Sequence, residues 1–264
     1  MRGACLRVKE IMDGKHPSIY SDELATKARA MIRDFNLRIL PVTDENKKLL
    51  GKVSRHDIMI ISSSKSSILV KGIMTPAKHV ATVDDEVTST VRTMLKVDMW
   101  CAPVVMSSQD PTYQGVLGLE AFIEQQIETN PEKFAKDVSD IMTENLVTCS
   151  PDDEVEHIWR LMQERRFAGL PVVKNGRLVG IVTHKDLLHS GAFLPTFESQ
   201  KIRGSPKISS VMKTEVVAVE PSVKAIRVAK VMVSKDIGRV PVKDKDGRLI
   251  GIVDREDIVR LTVK

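Results

Sequence analysis

Aromatic side chains are scarce in this 264-residue chain: six Phe, two Trp and two Tyr, 4% of the whole. With 42% apolar residues and so few rings, its cores must be built from aliphatic side chains. Only three cysteines occur, Cys5, Cys101 and Cys149, far apart and without a CxxC pair. That excludes a disulfide framework or a cysteine-rich zinc site and fits a reducing compartment, so a cytoplasmic location is expected. The six histidines, at 16, 56, 79, 157, 184 and 189, form no HxxxH or HxH cluster, so no metal site is expected. Long hydrophobic runs are missing too. None approaches the ~18 residues of a membrane helix, so no membrane partner is expected. The start, MRGACLRVKEIMDGK, has early positive charge but no apolar stretch behind it, and no secretory signal is read there. Charge of one sign never accumulates. The 40 basic and 35 acidic residues leave a net +5, and no run of five or six like charges marks a nucleic-acid-binding tail. Nor is there a GxSxG turn or a phosphate-binding P-loop, so no catalytic residues are assigned and an enzyme is not expected.

What the chain does have is repetition. Four segments open alike, VKEIM (8–12), VKGIM (70–74), VSDIM (138–142) and ISSVM (208–212), and each ends in a methionine. Twenty-nine residues after each Met stands a proline, Pro41, Pro103, Pro171 or Pro241, and 9 to 12 residues later a glycine, Gly51, Gly115, Gly180 or Gly251. The steps from Met to Met are 62, 68 and 70 residues. Polar or proline-bearing connectors, SSSKSS (62–67), ETNPEKFAKD (128–137) and SGAFLPTFESQKIRGSP (190–206), separate the units.

Each unit scans as β-α-β-β-α. In the third, LVTC (146–149) reads as a strand, and Asp152-Asp153-Glu154 supply acidic residues suited to a helix N-terminus. Val155, Ile158, Trp159 and Met162 follow at helical spacing. LPVVK, the turn Asn175-Gly176 and LVGIV then make a hairpin, and DLLHS begins a second helix. Leu24, Ala28, Met31 and Ile32 repeat the apolar stripe in the first unit, and Val223, Ile226, Ala229, Met232 and Val233 in the fourth. A unit of about 60 residues is marginal alone, so consecutive units should pair. The reading is two domains, 1–127 (repeats about 6–62 and 68–127) and 131–264 (repeats about 136–190 and 206–264).

Three units close on one nine-residue phrase: GKVSRHDIM (51–59), GIVTHKDLL (180–188) and GIVDREDIV (251–259). Taken singly, Ser54-x-x-Asp57, Thr183-x-x-Asp186 and Asp254-x-x-Asp257 are capping boxes. The same geometry serves a ligand. A helix N-terminus attracts anions, a cap hydroxyl adds a phosphate contact, and a carboxylate one turn in accepts from a pair of sugar hydroxyls. The second unit ends GVLGLEAF (115–122), with Gly118 and Ala121 at the two places, and can do neither.

These units resemble CBS domains, the modules named after cystathionine beta-synthase. The resemblance rests on the h-x-x-I-M opening, the PV strand, the glycine and the G-h-x-[ST]-x-x-D ending, and covers nearly the whole chain. It implies an α+β fold of four β-α-β-β-α repeats paired into two pseudo-dimeric Bateman modules. It further implies a non-catalytic sensor that regulates another protein. The effector would be an adenine nucleotide (AMP, ADP or ATP) or an S-adenosylmethionine-type ligand, bound in clefts between paired repeats, with no obligatory cofactor. A homodimer fits the same expectation. A nucleic-acid-binding protein, suggested by an isoelectric point near 9.0, and a purely structural dimerisation scaffold are the alternatives.

Carried over residue by residue, the resemblance makes Asp186, Asp57 and Asp257 the ribose ligands, with Thr183 and Ser54 toward phosphate. Asp254 replaces that hydroxyl in the fourth unit and would repel a phosphate. Arg239 and Arg38, two and three residues before their prolines, match basic phosphate ligands. The base would lie against the paired repeat. For the Asp257 cleft that means Ile252 with Met142, Val147, Phe167, Ala168 and Gly169. For the Asp186 cleft it means Ile181 with Met212, Val217, Ile237, Gly238 and Arg239. For the Asp57 cleft, Met74, His79 and Met99-Trp100-Cys101 are the matching segments, and Lys52 replaces the apolar residue seen as Ile181 and Ile252.

Overall fold

A computed structural model describes residues 5–59, 61, 66–190 and 206–263. Most of each connector, at 190–206 and at 62–67, lies outside these residues. In all four repeats a helix, an antiparallel hairpin and a second helix follow in order. The first helices are Ala25–Asp34, Val87–Lys96, Val155–Arg165 and Ala225–Ser234. Each buries one face at helical spacing, such as Val155, Ile158 and Met162 in the third repeat and Ala225, Val228 and Met232 in the fourth. The hairpins pair Ile39–Thr43 with Leu49–Ser54, Cys101–Val105 with Tyr113–Gly118, Gly169–Lys174 with Arg177–Thr183, and Arg239–Lys243 with Leu249–Asp254. The second helices are Arg55–Ile58, Leu119–Thr129, His184–Ser190 and Arg255–Arg260.

Three local readings need correction. The strand expected over 146–149 is a single parallel bridge, Cys149 to Val172; its counterparts are the two-residue strands Ile19–Tyr20 and Ala81–Thr82 and a bridge from Val219 to Val242. The acidic run does not cap the third repeat's first helix with a side chain. Asp153 instead accepts from the Ser150 N–H at 2.7 Å, tightening the preceding turn, and Glu154 is the N-cap without a side-chain bond. Leu24 and Val223 precede their helices, and Leu24 is exposed. The turn Asn175-Gly176 is as read, with φ of 53° and 76°.

The repeats exchange their opening segments. Val8 and Lys9 donate backbone N–H groups to Asp85 and Val83, and Val70 and Lys71 return to Glu23 and Ser21. Val138 and Ser139 donate to Val223 and Pro221, while Ile208 and Ser209 donate to Asp153 and Pro151. First and second repeats are thus laced together, as are third and fourth. The methionine closing three of these segments lies over the hairpin glycine of the paired repeat: Met74 over Gly51, Met212 over Gly180, Met142 over Gly251.

The apolar cores run the other way. One cluster joins the first and third repeats, through Ile32, Leu40, Ile58, Ile158, Leu170 and Leu187 among others. A second joins the second and fourth, through Met94, Leu117, Phe122, Val228, Met232 and Ile258. Backbone exchange within pairs and shared cores between pairs make one body of four repeats.

Four equivalent bonds fix the start of each second helix. Arg55, Leu119, His184 and Arg255 donate their backbone N–H groups to the carbonyls of Arg38, Trp100, Ala168 and Gly238, respectively, each three residues before a proline. Five residues before the proline the chain turns left-handed, at Asn36, Asp98, Arg166 and Asp236, with φ between 47° and 56°. After glycine, Asn and Asp tolerate that conformation best. These turns bring matched side chains of different repeats to the middle of the molecule.

Candidate ligand-binding clefts

Each closing phrase folds as a capping box. The Ser54 N–H donates to Asp57 Oδ2 at 2.7 Å and the Asp57 N–H to Ser54 Oγ at 3.3 Å. The Thr183 N–H donates to Asp186 Oδ2 at 3.0 Å and the Asp186 N–H to Thr183 Oγ1 at 3.2 Å. In the fourth repeat Asp254 Oδ1 accepts from Glu256 and Asp257 N–H groups, at 2.8 and 3.2 Å, and its own N–H reaches Asp257 Oδ2 at 2.9 Å. In all three it is Oδ2 that closes the box. A carboxylate has about four lone-pair sites, so Oδ1 keeps its acceptor capacity, and capping does not compete with ligand binding.

The Asp186 carboxylate opens into a cavity that also contains Ile181, Thr183, Val217, Ile237, Gly238 and Arg239. All seven were expected together. Met212, expected beside them, lies under Gly180. The cavity also takes in residues no sequence argument placed there: Arg38, Arg55 and Trp100 from the first two repeats, and Lys185, Lys213, Lys235, Asp236 and Glu215. Six basic side chains therefore face three carboxylates. Lys213 Nζ is 3.3 Å from Asp186 Oδ1, on an exposed stem. Burial, and then Arg38, lowers the Arg55 guanidinium to about 10; burial and Lys213 lower Lys185. Arg239 has no ion pair among the described residues and lies 5.0 Å over the Trp100 ring.

Trp100 is the hub of this middle region. Its indole N–H donates to Glu256 at 3.2 Å, and Arg38 and Arg255 approach its ring at 6.0 and 5.9 Å. It rests against Gly238, where a Cβ would come within 2.5 Å of the ring, so only glycine fits. Asp236 holds the first and fourth repeats together: Arg38, Arg255 and Asn36 donate to it at 2.5, 3.0 and 3.0 Å. Burial raises its pKa, but the two arginines outweigh that and the net shift is downward.

The other expected clefts differ. Ser54 shares a cavity with Lys52, Arg38, Met99, Trp100 and Cys101, and with two histidines, His56 and His184. Lys52 Nζ lies 3.5 Å from Asp57 Oδ2 and 3.1 Å from Thr75 Oγ1; both Asp57 and Asp186 carry an ammonium, but Lys52 is part-buried and held by Thr75 where Lys213 is exposed. His184 is buried with Nε2 unpartnered, and burial and His56 lower it to about 3. Near Asp257, Met142, expected at this cleft, packs on Gly251, and Thr143 bridges Ile252. Val147 is 38% exposed, Phe167 packs on the first–third core, and Gly169 pairs with Thr183. Ala168 lines the Asp186 and Ser54 cavities instead. Burial and the neighbouring Asp254 push Asp257 up to about 7. Arg239 is the strand partner of Asp254. Sequence reasoning missed Arg55 and Arg255, although the residue after the cap is basic or histidine in three repeats: Arg55, His184 and Arg255.

The CBS-domain family matches residues 8–64, 138–192 and 208–264, more than half of the chain. An uncharacterised protein of Methanocaldococcus jannaschii, MJ1225, is 24% identical over 97% of this chain and 98% of its own length. Its crystal structure, proposed as an archaeal homolog of g-AMPK, superposes with a TM-score of 0.85 at 23% identity over 97% of this chain and 99% of that one. A conserved protein from Pyrococcus horikoshii gives a TM-score of 0.66 at 21% identity over 97% and 99%. An inosine-5'-monophosphate dehydrogenase of Korarchaeum cryptofilum is 31% identical over 54% of this chain, but the match spans only 28% of that enzyme. Among the described residues no helix is long and apolar enough to cross a membrane. Three matched segments, the recurrent opening and closing phrases, and a shared whole-chain fold lead to one conclusion: the chain belongs to the CBS-domain family, as four repeats paired into two Bateman modules.

Proposed function

We propose that the protein is a non-catalytic sensor whose principal ligand is an adenosine nucleotide held in the Asp186 cleft. Asp186 Oδ1 accepts from the ribose, and Thr183 and the head of the 184–190 helix face the phosphate side. Ile181, Val217 and Ile237 supply an apolar wall for the base. One observation carries the reading: the cavity holding Asp186 also gathers Arg38, Arg55 and Arg239, three arginines from two repeat pairs. Guanidinium groups suit phosphate through their planar fork, and an anion there would relieve the mutual repulsion that burial imposes on them. Because Arg38 and Arg55 belong to the first pair and Asp186 to the third repeat, the ligand would bridge both modules and report its presence across the molecule. Regulation of a partner protein follows from that bridging. An S-adenosylmethionine-type ligand lacks the phosphate these arginines match and is the weaker candidate for this cleft.

The test is calorimetric titration of the whole chain with adenosine, AMP, ADP, ATP, S-adenosylmethionine and methylthioadenosine. Nucleotides should bind more tightly than adenosine, and Asp186→Asn should weaken all of them. Equal affinity for adenosine and its phosphates would sink the arginine argument.

A further inference from the structure

The second repeat lacks both the cap hydroxyl and the aspartate, yet the longest of the second helices, Leu119–Thr129, starts there with no side chain capping it. Glu120 has taken that space. A Cβ built on Gly118 would lie 2.6–2.8 Å from the Glu120 carboxylate, so the side chain folds back over the position where other repeats carry Ser54 or Thr183. There Glu120 Oε2 stands 3.5 Å from Nη1 of Arg255, and Oε1 stands 3.9 Å from Nε of Arg38. Arg255 is fully buried, and its Nε and Nη1 have no hydrogen-bond partner. A buried guanidinium that spends Nη2 on Asp236 thus has Nη1 left unspent toward Glu120, beside a helix N-terminus that favours negative charge.

We propose that Glu120 is a tethered anion, occupying an oxyanion site formed by the head of the 119–129 helix, Arg255 and Arg38. The second repeat therefore carries its own ligand group where a phosphate would otherwise sit. Charge supports this. Arg38, Arg55 and Arg255 already outnumber Asp236 and Glu120 in this cluster. Removing Glu120 widens that excess of positive charge in a buried place, and a small oxyanion would reduce it. The same carboxylate also draws on Arg38, which lines the Asp186 cavity. The two sites share Arg38, so the position of the bound anion, at Arg255 or beside Asp186, tells them apart.

Inorganic phosphate is the probe, titrated into the full chain at constant ionic strength against chloride. Glu120→Gln should gain phosphate affinity of roughly tenfold or more over wild type, the scale of one charge-assisted hydrogen bond. Crystals grown in phosphate should place the anion within hydrogen-bond reach of Arg255 Nη1. Glu124→Gln, on the exposed face of the same helix, should gain nothing. Unchanged phosphate affinity in Glu120→Gln, or an anion bound away from Arg255, overturns the proposal and leaves Glu120 a plain counter-ion. Should Glu120→Gln fail to fold, Gly118→Ala is read by the same criterion. Its Cβ displaces the flexible carboxylate without removing the charge, and its backbone, at φ −102°, accepts alanine. Adenosine, which carries no phosphate, reports the Asp186 cleft separately and should bind Glu120→Gln as it binds wild type.

Discussion

The starts of the 184–190 and 255–260 helices share a frame and a hydrogen-bond pattern, yet they are different electrostatic objects. In the third repeat the cap is a hydroxyl, which donates to Asp186 at 2.5 Å and adds no charge. The residue between is His184, neutral and buried, and the neighbouring cavity is basic. In the fourth the cap is Asp254, so three carboxylates, Asp254, Glu256 and Asp257, crowd one helix turn, and burial with Asp254 raises both Glu256 and Asp257. Trp100 covers that turn and spends its N–H on Glu256. Capping requires only an acceptor at the first position and a carboxylate at the fourth; binding a phosphate requires the absence of competing negative charge. One motif therefore yields a cleft open to anions in one repeat and a self-satisfied helix start in another.

Ligand response is where the difference should be largest. Hydrogen bonds to a charged acceptor contribute about 1.5–3 kcal/mol, so Asp186→Asn should weaken nucleotide binding by roughly 10- to 150-fold. Asn still caps a helix, and the unliganded variant should melt within a few degrees of wild type. Asp257→Asn should change nucleotide affinity less than threefold. Calorimetry on both variants decides the matter: equal losses would mean that the two helix starts are functionally alike.

Next in size is the packing between them. Gly238→Ala pushes a methyl group into Trp100, and overpacking of this kind costs about 1–3 kcal/mol. Adding Trp100→Leu to Gly238→Ala should recover most of the loss. Chemical denaturation of the single and double variants tests the coupling, and simple additivity would show that Trp100 and Gly238 do not constrain each other.

The repeat architecture was legible because the spacing from Met to Pro is constant, and the Asp186 cleft because its members recur at fixed offsets from that frame. The opposition of repeats across the centre was not. The sequence makes Arg38 a phosphate ligand but does not say of which cleft; it lines both the Ser54 and the Asp186 cavities, because apolar faces of the first and third repeats share a core. Which helix faces pack together is a property of the assembled surfaces, and no periodicity within one repeat encodes it. Trp100 was placed at the Asp57 cleft, and it does line that cavity. Its contact with Gly238 depends on a small residue some 140 positions away in a different pair, a complementarity visible only once both strands are in place. Lys52 was noticed as an oddity; its bond to Asp57 needed coordinates.

Acid should separate the two regions by the sign of its effect. Asp257 sits near 7 in the folded protein against ~3.9 in an unfolded chain. Between those values the native state holds a proton the unfolded state has lost, so its contribution falls as pH rises from about 4 through 7. His184 sits near 3 against ~6.5 unfolded. There the unfolded chain holds the extra proton, and stability is lost as pH falls from about 6.5 toward 3. In the overlap, pH 4 to 6.5, the two slopes oppose. Asp257→Asn should make stability rise more steeply with pH than in wild type across this window, and His184→Leu should make it rise less. Urea midpoints at pH 4.5 and 6.5 read both, and identical differences in all three proteins would remove these groups from the account.

The smallest effect concerns the left-handed turn that ends each first helix. Three repeats place Asn36, Asp98 or Asp236 there, and the third places Arg166 at φ 56°. An L-residue without a short polar side chain is disfavoured in that conformation by roughly 1–2 kcal/mol, and asparagine recovers part of it. Arg166 has no resolved ion pair in the described structure to set against the strain. Arg166→Asn should therefore stabilise the protein by about 0.5–1 kcal/mol, a rise in melting temperature of roughly 1–4 °C for a chain of this size. Asn36→Arg, the reverse exchange in the first repeat, should cost more than the first gains. Asn36 donates to Asp236 and accepts from Arg55 at 2.8 Å, so its loss removes two bonds at the centre as well as the turn preference. A symmetric pair of effects would mean that the turn alone sets the energy; a larger loss at 36 ties this position, and not its counterpart at 166, to the cluster around Asp236.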